Sequence, residues 1–168
     1  FPIMREKGYG RIVMTTSGVG LYGNFGSSNY GAAKMGMVGL ANVLKFEGSR
    51  YNIRVNSIAP FAGSRLSGPL MPPNFFESLK PEYVSPLVAY LCSEQCKETG
   101  FIYSVGGGYF SRVACLEGEG VFLGPEKEIT PEDVQANLAE INDLSRAVEL
   151  AGFPEQGKKM LSLMGIIE

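Results

Sequence analysis

Residues 15–34 read TTSGVGLYGNFGSSNYGAAK, and the fold turns on how this stretch is divided. Just before it, Arg11-Ile12-Val13-Met14 is a short apolar, β-branched run that reads as a buried strand reaching to Thr16. Inside it, Gly18-x-Gly20-x-x-Gly23 has the spacing of a dinucleotide-binding loop. Such a loop needs more than spacing. Its third glycine should open a helix whose N-terminus faces the phosphates, and an acidic residue should end the following strand. Here Phe25-Gly26-Ser27-Ser28 still reads as loop, and the acidic residue at a suitable distance, Glu47, ends a helix instead of a strand. The glycines are therefore read as a mobile, glycine-rich loop and not as a phosphate cradle.

Working outward, residues 28–47 carry Val38, Ala41 and Leu44 at helical spacing, with Gly48 as the expected stop. Upstream, residues 2–7 read as the end of a helix closed by Gly8. Downstream, residues 53–58 form a second strand stopped by Pro60, residues 81–92 a helix with Pro81 in its first turn, and residues 101–105 a third strand running into Gly106-Gly107-Gly108. Strand, helix, strand, helix, strand is the pattern of an α/β fold with a parallel sheet covered by helices. Beyond Arg112 the character changes. Residues 115–122 are irregular, with room for a small hairpin. Thr130-Pro131-Glu132-Asp133 starts a helix with an apolar stripe of Val134, Leu138, Ile141, Leu144 and Val148, and residues 154–164 form another short helix.

Composition removes several kinds of chemistry. None of the 168 residues is histidine, so Ser-His-Asp triads, Cys-His dyads and imidazole metal sites are excluded, and no metal site is expected. Lys plus Arg is 15 against 17 Asp plus Glu, with no basic stripe, which argues against nucleic acid as partner. No apolar run is long enough to span a bilayer. Cys92, Cys96 and Cys115 are odd in number and read as small apolar residues in a reducing compartment. The chain opens on Phe1 and reads as cut from something longer.

Chemistry concentrates in three residues. Tyr30 and Lys34 lie four apart and share one helix face, and an ammonium beside a phenol favours the phenolate, a competent general base. Ser17 follows a strand that delivers its C-terminal end to the ligand crevice of a parallel sheet, where the next helix begins. The three can converge on one point.

Ser17, twelve intervening residues, then Tyr30-Gly31-Ala32-Ala33-Lys34 resembles the catalytic stretch of the short-chain dehydrogenases/reductases. Asn56-Ser57-Ile58-Ala59-Pro60, Thr99-Gly100 and the glycine run 106–108 agree in register, so the resemblance covers residues 1–112. Within that family, Tyr22-Gly23-Asn24-Phe25-Gly26, Ala62-Gly63-Ser64-Arg65-Leu66 and Leu79-Lys80-Pro81-Glu82-Tyr83-Val84 are similar to one branch, the (3R)-hydroxyacyl-CoA dehydrogenase units of type 2 peroxisomal multifunctional enzymes. The resemblance implies the C-terminal part of a Rossmann-like doubly wound sheet in residues 1–112, with a mostly helical extension over 113–168. It implies hydride transfer between a fatty acyl-CoA substrate and NAD. Tyr30 would be the acid/base, binding both substrate and cofactor. Lys34 would hold the cofactor ribose and favour the phenolate. Ser17 would bind the substrate oxygen, and Pro60, Ala62 and Gly63 would approach the nicotinamide. It further implies a homodimer through the 28–47 helix and a peroxisomal location, with cytoplasm as the alternative.

Two departures qualify this. The family's glycine loop, its acidic ribose-binding residue and its catalytic Asn match nothing in the 168 residues, so the chain alone is expected to be inactive. Phe61 stands where many relatives carry Gly after the proline. Two alternatives remain: a reductase of the same family acting on a steroid or an acyl-carrier protein, and a non-catalytic fragment that dimerises or binds lipid. Substrate choice is expected to lie in residues 18–24 and 64–76.

Overall fold

A computed structural model describes residues 1–64, 68, 72–124 and 128–167. Parts of the anticipated substrate segment, Arg65, Leu66 and Met71 among them, lie outside the described residues. The chain divides into two compact units, Phe1–Val113 and Ala114–Glu168.

The first unit is a four-stranded sheet in the order β1 (Gly10–Thr15), β2 (Ile53–Pro60), β3 (Ile102–Gly106), β4 (Tyr109–Val113). The first three strands are parallel and β4 is antiparallel, with Ile12 opposite Val55 and Ile58 opposite Tyr103. Alternation along the strands sends apolar side chains to both faces. Ile53 and Val55 join Ile12, Met14 and Ala41 beneath α3 (Ser28–Gly48) and α1 (Pro2–Lys7). On the other face Ile58 and Val105 join Val13, Leu91 and Cys96 beneath α5 (Ser85–Leu91). Helices on both faces of a parallel sheet make the doubly wound α/β architecture anticipated from the strand–helix alternation. Each fully buried aliphatic here, such as Ile53, Val55 or Leu91, contributes about 1.5–3 kcal/mol.

Several expectations are corrected. The glycine-rich stretch after β1 is not a loop: Gly18–Tyr22 forms a short helix, α2, capped by Ser17. Gly48 does not stop α3. The helix runs through it into a single 3₁₀ turn, Ser49–Tyr51, and the left-handed residue that ends the turn is Asn52 at φ 52°. Gly48 is there for space, since a Cβ would lie 2.9 Å from that of Ile53. Residues 81–92 are not one helix but a 3₁₀ turn, Pro81–Tyr83, followed by α5. Pro86 has no N–H for the carbonyl four residues back, so the helix restarts with this proline in its first turn. The glycine run is more than the end of the last strand: it is a hairpin turn, with Gly107 at φ 58° and Gly108 at φ 81° joining the paired Gly106 and Tyr109. Two positive φ values are what a type I′ turn requires.

Between β2 and α5 lies the short helix α4 (Pro73–Ser78). Gly63 is buried against it, and a Cβ there would lie 2.9 Å from the Phe76 ring.

The second unit pairs β5 (Leu116–Glu117) with β6 (Val148–Glu149), so residues 115–122 form no local hairpin. The Thr130–Asp133 capping box opens α6 (Pro131–Ala136) as expected. The helix does not continue to residue 150. It breaks at Asn137, whose Nδ2 donates to the Asp133 carbonyl at 2.8 Å, and α7 covers only Leu138–Ile141. Asp143 then accepts from the Ser145 N–H at 2.8 Å. Side-chain bonds of this kind offer the backbone an alternative to helix. The expected apolar stripe is consequently not buried, with Leu144 62% exposed. The last helix, α8, spans Phe153–Leu163, and its Lys159 pairs with Glu117 at 3.1 Å. Among the described residues no helix is long and apolar enough to cross a membrane.

Candidate active site

The site is assembled at the C-terminal ends of β1, β2 and β3, where parallel sheets bind their ligands. Leaving β1, the chain stays extended at Ser17 (φ −160°, ψ 152°) and turns into α2. Ser17 Oγ accepts from the Val19 N–H at 3.2 Å. A hydroxyl that accepts through a lone pair still has its own hydrogen to give. The cap therefore fixes the Oγ position and leaves the O–H free to donate into the cleft.

The three glycines have places in the fold, and two of them, Gly20 and Gly23, have a structural reason. Gly18 is the first residue of α2, Gly20 is where α2 crosses α3, and Gly23 ends α2 at φ 80°. Three amides of this stretch are engaged locally. Val19 N–H donates to Ser17 Oγ, Leu21 N–H to the Ser17 carbonyl and Gly23 N–H to the Val19 carbonyl. They are not free to cradle a phosphate.

Tyr30 and Lys34 stand one turn apart on α3. Tyr30 is 46% exposed. Lys34 Nζ lies 5.6 Å from the Tyr30 ring centroid and donates to the Thr15 carbonyl at 3.0 Å. The lysine thus reaches back from α3 to the end of the strand that carries Ser17.

Beside Ser17 opens a cleft of about 590 Å³, lined by Val19, Tyr22, Pro60, Val105 and Tyr109 among others. Gly106 is required where β3 passes this point, because a Cβ would be 2.1 Å from the Phe61 carbonyl oxygen. Of the residues anticipated from the sequence, Ser17 and Pro60 line this cleft, while Tyr30 and Lys34, on α3, are not among its lining residues. Ala62 lines a separate groove against α5, together with Val84, Val88 and Cys92. The Gly63 N–H donates to the Leu79 carbonyl at 2.7 Å, so this backbone group is spent on the fold. Sequence reasoning missed Val105 and Tyr109. The Gly107-Gly108 turn was the available signal for Tyr109, since it predicts the returning strand on which that residue sits.

On the α5 side of the sheet a polar group is buried without belonging to the cleft. Asn56, 1% exposed, donates to the Glu98 carbonyl at 2.9 Å and accepts from the Phe101 N–H at 3.1 Å. It ties β2 to the segment that leads into β3. Burial pushes the nearby Cys96 thiol up from its ordinary value, as befits an inert core thiol. All three cysteines are free, but only Cys96 is buried, so Cys92 and Cys115 do not behave as core residues.

The short chain dehydrogenase family profile matches residues 1–64, the part that carries Ser17, Tyr30 and Lys34. A short-chain type dehydrogenase/reductase from Mycobacterium tuberculosis is 49% identical over 91% of this chain and 52% of its own length. The chain is similar to the short-chain dehydrogenases. Peroxisomal multifunctional enzyme A of Dictyostelium discoideum, another relative, is 50% identical over 82% of the chain and 31% of its own length. The solved structure of full-length peroxisomal multifunctional enzyme type 2 from Drosophila melanogaster superposes on 98% of the chain with a TM-score of 0.88 and 38% identity, and the chain covers 30% of it. The chain spans about half the length of the mycobacterial relative and less of the two peroxisomal ones.

For a short-chain dehydrogenase the expected cofactor is a nicotinamide nucleotide. The residues present fit one end of it. An ammonium and a phenol, half-exposed at the end of a parallel strand, suit ribose hydroxyls and the reacting ring. Residues 18–23, with the Val19, Leu21 and Gly23 amides already bonded locally, do not fit the pyrophosphate.

Proposed function

We propose that this chain carries the proton-transfer and substrate-binding part of an NAD-dependent (3R)-hydroxyacyl-CoA dehydrogenase acting in peroxisomal β-oxidation. One observation carries the reading. Lys34 Nζ lies 5.6 Å from the Tyr30 ring centroid and is anchored to the Thr15 carbonyl, two residues along the chain from the capped Ser17.

The nicotinamide, when bound, supplies the hydride acceptor. Tyr30 takes the proton of the substrate hydroxyl onto its phenolic oxygen as that carbon becomes a carbonyl. Ser17 donates its free O–H to the same oxygen, stabilising charge as it develops. Lys34 keeps positive charge beside the phenolate and offers its remaining N–H bonds to the ribose hydroxyls. Val19, Pro60 and Val105 give the cleft apolar walls suited to an acyl chain.

The same reading pairs two copies through α3, whose Leu40, Val43 and Phe46 are about half exposed. Such a surplus of apolar surface on one helix fits a partner face, and a two-fold dimer is the commonest closed arrangement. The peroxisomal location rests on the relatives that are named for it.

The test is the full-length protein with NAD and a (3R)-3-hydroxyacyl-CoA, followed by the absorbance of the reduced nicotinamide. The (3S) epimer, a 3-hydroxysteroid and a 3-hydroxyacyl-carrier protein serve as competitors. Turnover of the (3R) thioester above the other three is expected. Preferential turnover of the steroid or the carrier-protein substrate would overturn the reading.

A further inference from the structure

Lys34 is gripped by neighbours that the reaction itself does not explain. Thr16 lies between the two residues already discussed, Thr15 and Ser17, and is 1% exposed. Its Oγ1 donates to the Lys34 carbonyl oxygen at 2.7 Å. A mid-helix carbonyl gives one lone pair to the N–H four residues on and keeps a second. Thr16 occupies that second position. At the other end of the same residue, the Thr15 carbonyl holds the Lys34 ammonium at 3.0 Å. Lys34 is therefore bonded to two consecutive strand-end residues, once through its backbone and once through its side chain.

A third contact comes from α2. A Cβ on Gly20 would lie 2.8 Å from Lys34 Cβ and 3.1 Å from both the Lys34 carbonyl carbon and the Met35 nitrogen. Only a glycine lets α2 approach α3 this closely. The tightest point of that approach falls at Lys34.

We infer that Thr16 is a positioning residue for the reaction, its buried hydroxyl holding α3 against the end of β1 so that Tyr30 and Lys34 meet Ser17, with Gly20 as the close-packed counterpart. This rests on the roles proposed above for Tyr30 and Lys34. The covalent geometry makes the arrangement effective. Thr16 is peptide-bonded to Ser17, and its hydroxyl reaches the backbone of Lys34, so one side chain links the substrate-oxygen donor to the acid/base helix. Threonine suits the task because its branched Cβ limits χ1 and aims the hydroxyl. Thr16 lines no part of the cleft beside Ser17, so its effect should fall on turnover and not on substrate binding.

The experiment uses the full-length protein carrying Thr16→Val, which keeps shape and removes the donor. The Lys34 carbonyl retains its helical bond, so folding should survive. Misplacement of reacting groups by about 1 Å costs up to ~10²-fold. The expected result is a fall in kcat of about tenfold or more, with KM for the acyl-CoA within about twofold. Thr16→Ser, which restores the hydroxyl, should recover most of the kcat. Gly20→Ala, pressing on the same lysine from α2, should give the same split, and it decides the matter if Thr16→Val fails to fold. Wild-type kcat in Thr16→Val while Tyr30→Phe is inactive would overturn the inference and leave the assignment of Tyr30 intact. So would a Thr16→Ser protein as impaired as Thr16→Val. An active Tyr30→Phe would instead remove the reading on which the inference rests.

Discussion

Replacing Tyr30 by Phe removes one oxygen atom from α3 and little that holds the protein together. The residue is 46% exposed. Among the described residues its hydroxyl makes no hydrogen bond, and its backbone N–H is held by Asn29 Oδ1. The ring contact with Lys34 Nζ at 5.6 Å needs the ring and not the hydroxyl. A surface change of this kind alters stability by no more than about 0.5 kcal/mol. Its effect on chemistry is of another order. A positioned general acid/base contributes about 10²–10⁴ in rate, which at about 1.36 kcal/mol per decade is roughly 2.7–5.4 kcal/mol of barrier. The assay is the initial rate of nicotinamide reduction by full-length wild-type and Tyr30→Phe protein, with a circular-dichroism melt of each. The expected outcome is a loss of turnover of at least ~10²-fold with superimposable melts. Turnover close to wild type would refute the role of Tyr30. A melt lowered in step with activity would refute the separation of chemistry from stability on which the argument depends.

Other outcomes follow from the same geometry. Asn56→Leu leaves the Glu98 carbonyl and the Phe101 N–H without their buried partner, and at about 1–3 kcal/mol per orphaned group chemical denaturation should reveal a loss near 3 kcal/mol; a loss under about 1 kcal/mol would mean that water replaces the side chain. Glu98 is held below its usual carboxylate range, first by its own backbone N–H and next by the Tyr90 hydroxyl. A depressed folded value gives stability that is present above the unfolded value, near 4.5, and is lost as the pH falls through the folded value. Tyr90→Phe should therefore flatten the acid limb of melting temperature against pH, and identical limbs would count against this bond. Val43→Glu, on the exposed face of α3, should convert a dimer to a monomer in light scattering, whereas an unchanged dimer would exclude this helix as the interface.

The chain's local code was legible without coordinates. The β-branched runs before residues 16 and 60 are strands, Thr130-Pro131-Glu132-Asp133 opens a helix, and Tyr30 and Lys34 share a helix face because four residues make about one turn. All of these depend on interactions within a few positions of the chain. Part of what differs depends on a distant segment. Gly20 is dictated by Lys34, Gly48 by Ile53 and Gly106 by Phe61, and each looked like a loop or a stop because the sequence does not say which backbone will approach. The stripe from Val134 to Val148 had helical spacing, yet Asn137 and Asp143 spent their side chains on the backbone and broke it. In the candidate site, the sequence by itself named the groups proposed to carry chemistry. Tertiary structure decided how they are held: Ser17 capping a helix that had been read as a loop, and Thr16 reaching 18 residues along the chain to the Lys34 carbonyl. A hydrogen bond across that separation exists only once β1 and α3 have packed, so no local pattern of residues could have announced it.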